Sequence, residues 1–180
     1  MTGTRLRIIA MLAVLATVGG TATAAQGSGH DDEGRTRARL IGYREVPAIS
    51  TEGRGTFRAR MVGDDAFRFR LRYGDLSSHV QQAHIHFGQK SVSGGISVFL
   101  CSNLGNGPAG TATCPQSGEV SGTITAAQVI GPVGQGISAG EFDELLHAIR
   151  AGVAYVNVHS DNFPAGEIRG QLRRGHHHHD

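Results

Sequence analysis

The stretch Phe57-Arg58-Ala59-Arg60-Met61-Val62-Gly63-Asp64-Asp65-Ala66-Phe67-Arg68-Phe69-Arg70-Leu71-Arg72-Tyr73 decides the fold class. Strand side chains alternate faces with a period of two, so each half separates apolar from cationic residues. Gly63-Asp64-Asp65 supplies turn chemistry between the halves, and the whole predicts a β-hairpin. Its core face carries Phe57, Ala59 and Met61 together with Phe67, Phe69 and Leu71. The same parity forces Arg58, Arg60, Arg68, Arg70 and Arg72 onto one outer face. Like charges opposite each other on paired strands are destabilising, so this face requires acidic neighbours or a bound anion. Two readings stand: a solvated face paired with glutamates of adjacent strands, or a surface for a polyanion such as a cell-wall polymer or acidic glycan.

Outward from the hairpin, further short alternating segments follow at Leu40 to Tyr43, Gln82 to Phe87, Ile96 to Leu100, Glu119 to Ile124, Val153 to His159 and Glu167 to Leu172. One helix interrupts them. Ser138 and Glu141 read as an N-cap and capping-box pair, and Phe142, Leu145, Leu146 and Ile149 form an apolar stripe. Arg150 suits the negative C-terminal end, and Gly152 the left-handed stop. About eight strands with one short crossover helix predict an all-β Greek-key sandwich or barrel.

The ends and the composition bound the rest. Arg5 and Arg7, the apolar run Ile8 to Val18 and the small-x-small pattern Ala22-Thr23-Ala24 read as a signal peptide over residues 1–24. No later segment is long and apolar enough to form a transmembrane span. Residues 25–37 read as a small, charged, flexible lead-in, residues 38–173 as one domain, and residues 174–180 as a His-rich tail. These features predict a secreted or periplasmic chain. In such a compartment Cys101 and Cys114 are expected to form a disulfide, worth about 3 kcal/mol on the chain-entropy model, rather than two metal-binding thiolates. A net charge of +2 gives no reason to expect a nucleic-acid partner.

Two segments carry the candidate chemistry: Gln82-Ala83-His84-Ile85-His86-Phe87 and Tyr155-Val156-Asn157-Val158-His159. Ala83, Ile85 and Phe87 turn one way and His84 and His86 the other. Val156 and Val158 likewise leave Tyr155, Asn157 and His159 on the opposite face. If both segments share one sheet, three imidazoles emerge together on its outer surface. That is a metal site if the phase is right, and a hydrogen-bonded histidine cluster otherwise. Charged imidazoles at close range repel, which makes a cation the natural organiser. Neutral imidazoles without a thiolate suit copper(II) or zinc, and the Irving–Williams order favours copper. Asp161 and Glu167 are candidate carboxylates to complete the shell, although Glu167 also alternates with Arg169 and pairs with it on a second reading. Tyr155 and Asn157 are placed to support the ligands rather than to bind the ion. His79, in a polar loop, and His147, opposite the helix stripe, read as solvated.

Taken together, Glu45-Val46-Pro47, Ala83-His84-Ile85-His86, Ala151-Gly152, Tyr155-Val156-Asn157-Val158-His159 and Gly166-Glu167-Ile168-Arg169-Gly170-Gln171-Leu172 resemble the CHRD domain, the module first named in chordin and common in exported bacterial proteins. The resemblance spans about residues 38 to 173. It departs from the family pattern at Ala48, where a second proline is frequent, and at Ser160, where threonine is usual. It implies an all-β fold, superoxide-dismutase-like or immunoglobulin-like, with histidines placed like those of copper-zinc superoxide dismutases. For bacterial members it implies copper binding, and in chordin the module sits in an extracellular antagonist of growth factors.

Function has to be argued from the site. The expectation is an exported protein that holds copper, or zinc, through His84, His86 and His159 for metal storage, delivery or sensing. The alternative is an extracellular module that binds a protein or glycan and whose histidines are structural. A copper-dependent superoxide dismutase is the weaker reading, because no second, bridging metal cluster is visible in the sequence.

Overall fold

The computed structural model describes residues 34–175; the leader-like residues 1–24 and the histidines of the tail lie outside them. The hairpin forms as expected, between β2 (Arg54–Val62) and β3 (Ala66–Gly74). Phe57 faces Leu71, Ala59 faces Phe69 and Met61 faces Phe67 on the inner side. Phe57, Phe67, Phe69 and Leu71 are buried, and the Phe57 and Phe69 rings stack at 6.1 Å.

The remaining strands are β1 (Arg35–Ile41), β4 (Val80–Phe87), β5 (Gly95–Ser102), β6 (Gly118–Ile124), β7 (Ala154–Ser160), β8 (Ile168–Gln171) and the two-residue β9 (Arg173–Arg174). All pairings are antiparallel, in the order β5-β4-β7-β8-β1-β2-β3-β6, with β9 added against β1. The end strands β5 and β6 approach each other, so the sheet nearly closes into a barrel. Of the two architectures the sequence allows, the barrel is the one formed. The interior holds Leu40, Phe57, Leu71, Ala83, Ile85, Val98, Val156, Val158 and Ile168, all essentially inaccessible to solvent.

Three local expectations are corrected. The first strand begins at Arg35, inside the stretch read as lead-in, because Thr36 and Ala38 turn inward between outward-facing arginines; Gly42–Arg44 is a single 3-10 turn rather than strand. The last long strand starts at Ile168, not Glu167. The helix α1 (Phe142–Arg150) starts one turn after Ser138. Half of the capping box survives: the Glu141 Oε2 atom accepts the Ser138 N–H at 2.6 Å, while the Ser138 side chain caps nothing. The apolar stripe Phe142, Leu145, Leu146 and Ile149 is buried as the pattern requires, and Gly152 takes a positive φ of 73° at the stop.

Cys101 in β5 and Cys114 in the following loop are bonded, with Cα atoms 5.1 Å apart. Both are buried against the core, so the bridge ties the β5–β6 loop to the barrel wall. Among the described residues, no helix is long and apolar enough to cross a membrane.

Candidate metal centre

Pairing of β4 with β7 sets the phase of the histidines. His86 lies opposite Tyr155, His84 opposite Asn157 and Gln82 opposite His159, so these six side chains share one side of the wall. His84 and His159 are then diagonal neighbours. On its other edge, β4 meets β5 through two register shifts, between Ala83 and His84 and between Ile85 and His86. Bulges at such positions re-aim side chains. Here they place Phe99 against the edge of the His84 ring, with centroids 4.4 Å apart.

The three imidazoles converge. Ring centroids are 4.9 Å apart for His84 and His159, 5.3 Å for His84 and His86, and 6.1 Å for His86 and His159. One ligand nitrogen from each lies within 4.8 Å of the others. A carbonyl oxygen only accepts, so the ring nitrogen facing one carries the proton. His86 Nδ1–H donates to the Gly94 carbonyl at 2.9 Å, and His159 Nδ1–H donates to the Pro164 carbonyl at 3.0 Å. Both rings therefore carry their lone pair on Nε2. The His159 Nε2 lone pair accepts from His84 Nδ1 at 3.1 Å, which leaves the His84 Nε2 lone pair free. The Nε2 atoms of His84 and His86 are buried without a hydrogen-bond partner. Unsatisfied buried polar atoms cost about 1–3 kcal/mol each, and two on adjacent rings of one cluster need an explanation.

Burial also keeps the imidazoles in the neutral form that can ligate a metal. Burial, followed by the nearness of His159 and His86, pushes His84 down to about 2. Burial pushes His86 down to about 4, against the opposing effect of the Gly94 carbonyl. Burial likewise lowers His159 against the Pro164 carbonyl. All three rings are neutral at physiological pH, as metal ligands must be.

A layer of supporting groups surrounds them. The Tyr155 ring stacks on His86 at 4.7 Å, parallel to within 1°, and the Arg169 guanidinium lies over the Tyr155 ring, 3.3 Å from its centroid. Arg169 also donates to the carbonyls of Gln89 at 3.0 Å and Val92 at 2.8 Å, and Gln171 to Gly88 at 2.9 Å. These bonds hold the loop that carries Gly94 over His86. Beside Asn157 sits the Glu45 carboxyl, whose pKa burial raises to about 7 despite the attraction of Arg169. Gly166 takes a φ of 132°, and a Cβ there would lie 2.5 Å from Glu45 Oε1 and 2.7 Å from Asn157 Nδ2.

Several expectations change. The histidines do stand on the side of the wall opposite the core, but not on an open surface. His84, His86 and His159 are 0%, 7% and 5% exposed, because the Gly94 and Pro164 loops cover them. Asp161 is outside the cluster: it is half exposed, and meets His79 at 3.5 Å and Gln81 at 3.2 Å. Glu167 neither joins the cluster nor pairs with Arg169. Its carboxylate accepts from Thr51 Oγ1 at 2.6 Å, Ser77 N at 2.8 Å, Ser77 Oγ at 3.1 Å and Ser160 Oγ at 2.5 Å, and so ties three chain segments together. His79 and His147 are solvated, as their settings suggested. Sequence reasoning missed the roles of Glu45 and Arg169. The signal for Arg169 was present, since it lies directly opposite Asn157 on the histidine side of β8.

A nearly closed antiparallel barrel with three neutral imidazoles converging beneath covering loops defines a protein with a candidate three-histidine cation centre. Comparison with known families then gives its membership: the CHRD domain model matches residues 36–172, and the chain belongs to that family. No curated protein and no solved structure gives a significant match.

Proposed function

We propose that this protein binds one copper ion, with zinc as the nearest competitor, through His84, His86 and His159, outside the cytosol, for metal storage, delivery or sensing. The observation that carries the reading is the pair of orphaned, buried nitrogens on His84 and His86 next to His159 Nε2, whose lone pair exchanges the His84 Nδ1–H for the ion on binding. Hydrogen bonds from Nδ1 to main-chain carbonyls fix two of the rings, the usual arrangement behind metal-bound imidazole. The donor set contains no thiolate or carboxylate, which favours copper(II) or zinc over magnesium, calcium or manganese. The Cys101–Cys114 bridge supports an oxidising compartment, as does the leader-like start of the sequence. Near-complete burial favours holding an ion over turning over a substrate at it.

A second reading rests on the His84–His159 hydrogen bond, which closes the cluster without any ion. On it, the histidines are structural and the domain is an extracellular interaction module. Copper titration of protein lacking residues 176–179 separates the two. The expected result is one equivalent bound with imidazole-type electron paramagnetic resonance couplings, and lost in His84→Gln, His86→Gln and His159→Gln that remain folded by circular dichroism. Unchanged stoichiometry in folded variants would refute the metal centre. Zinc competition in the same titration ranks the two ions.

A further inference from the structure

The arginine face of the barrel is remote in role from the histidines and stands on its own observations. Strand registers organise it into rows. Arg37 of β1 faces Arg58 of β2, which faces Arg70 of β3, which faces Ser121 of β6. In the next row Arg60 faces Arg68, which faces Thr123; in the row on the other side Thr56 faces Arg72, which faces Glu119. Neighbouring strands are about 4.8 Å apart and successive outward residues ~6.8 Å apart, so the guanidiniums form a lattice of fixed spacing. All these arginines are exposed, and together they wall an open groove of about 870 Å³.

Compensation is partial. Glu119 meets Arg70 Nε at 3.1 Å and Arg72 Nε at 2.6 Å, and so answers the expectation of a glutamate from the adjacent strand for those two residues. The row Arg37–Arg58–Arg70 still sets cations directly opposite cations, which costs stability. An anion lying across this row would relieve that cost.

The chemistry of the face narrows the occupant. The chain has sixteen arginines and one lysine, so the groove offers planar forks suited to two-point contact with sulfate or carboxylate. Thr56, Ser121 and Thr123 place hydroxyls among them. Phe67, Phe69 and Tyr73 of β3 are buried, which leaves no ring there for nucleic-acid bases to stack on. Of the exposed large apolar side chains, only Val62 lies on these strands, too little for insertion into a membrane.

We infer that the outer face of β1, β2, β3 and β6 is a binding site for a linear acidic polysaccharide, held by Arg37, Arg58, Arg60, Arg68, Arg70 and Arg72. Regularly spaced anions on an extended chain match regularly spaced guanidiniums on a sheet, and sugar hydroxyls match the interleaved serine and threonines.

The test measures binding of the whole chain to dextran sulfate and to polygalacturonate over a range of sodium chloride concentrations. Arg58→Glu should weaken binding to both probes about tenfold and reduce the slope of log affinity against log salt by roughly one unit. Because the new carboxylate sits between Arg37 and Arg70, thermal stability should hold or rise, which separates this loss from misfolding. Arg58→Lys should lose a few-fold by losing the fork, and Arg150→Glu, an equal charge change on the helix, should bind as the parent does. Equal losses from Arg58→Glu and Arg150→Glu would reduce the effect to net charge and overturn the site. Unaltered binding in Arg58→Glu would overturn it too, and so would equal affinity for duplex DNA or anionic phospholipid vesicles.

Discussion

At the scale of single residues, the cluster makes stability depend on pH in a definite direction. His84 and His86, at about 2 and about 4 in the fold, and His159, also lowered, take up protons near 6.5 when unfolded. Between those values the unfolded chain binds more protons, so their contribution is present above about pH 6.5 and is lost as pH falls through the folded values. Glu45 acts in the opposite sense. Its folded pKa of about 7 lies above the ordinary 4.5, so its contribution is present below 4.5 and disappears as pH rises through 7. From pH 4.5 to 6.5 the histidines prevail, and the metal-free protein should become more stable as pH rises. Glu45→Gln removes the one opposing proton and should steepen that slope by about 1.4 kcal/mol per pH unit, as read by urea unfolding at pH 5, 5.5 and 6. Gly166 offers a second test. Alanine there meets both an unfavourable φ and the atoms of Glu45 and Asn157, and Gly166→Ala should cost about 2 kcal/mol or more by the same measurement. The phase of the three histidines was legible because parity dictates it once β4 and β7 pair in one sheet. Their burial was not: the carbonyls of Gly94 and Pro164 come from irregular loops, which have no period to read.

At the scale of elements, the Phe57-to-Tyr73 hairpin was fully legible, since both halves alternate without a fault and the turn chemistry between them is strong. The start of β1 was not. Its inward residues before Leu40 are Thr36 and Ala38, too small and too polar to mark a core face, and it is paired because β2 extends past them. The helix start misled for a related reason: Ser138 and Glu141 have capping-box spacing, but the Glu141-to-Ser138 bond forms one turn early, and the helix follows it. β5 shows what pattern cannot convey. Its two register shifts against β4 are invisible in composition, yet they set what packs beside His84. The bridge from this strand to Cys114 should contribute through the loop it closes, by an amount that grows with the logarithm of loop length. With the cysteines at a sequence separation of 13, Cys101→Ser/Cys114→Ser should lose about 3 kcal/mol, checked by denaturant titration of oxidised parent and variant.

At the scale of the whole molecule, the barrel divides its surface by chemistry, with sealed imidazoles outside β4 and β7 and exposed guanidiniums outside β1, β2 and β3. Class and motif order were readable because a barrel needs only alternation and turns. Closure was not, because it depends on how β5 and β6 meet, a matter of accumulated twist. The two faces should also be separable: Arg58→Glu should leave metal stoichiometry unchanged, measured by copper titration. The Arg169 latch has a consequence for timing. It pins the Gln89 and Val92 carbonyls of the segment that roofs His86, so on the proposed metal reading a cation would leave past His86 as that roof lifts. Departure should then proceed at the rate of the lifting, whatever the strength of the scavenger outside. A tenfold excess and a hundredfold excess of chelator would strip the loaded protein equally fast, and Arg169→Ala would shorten that common half-life. The barrel would hold its cargo as a lock does, by a moving part rather than by grip.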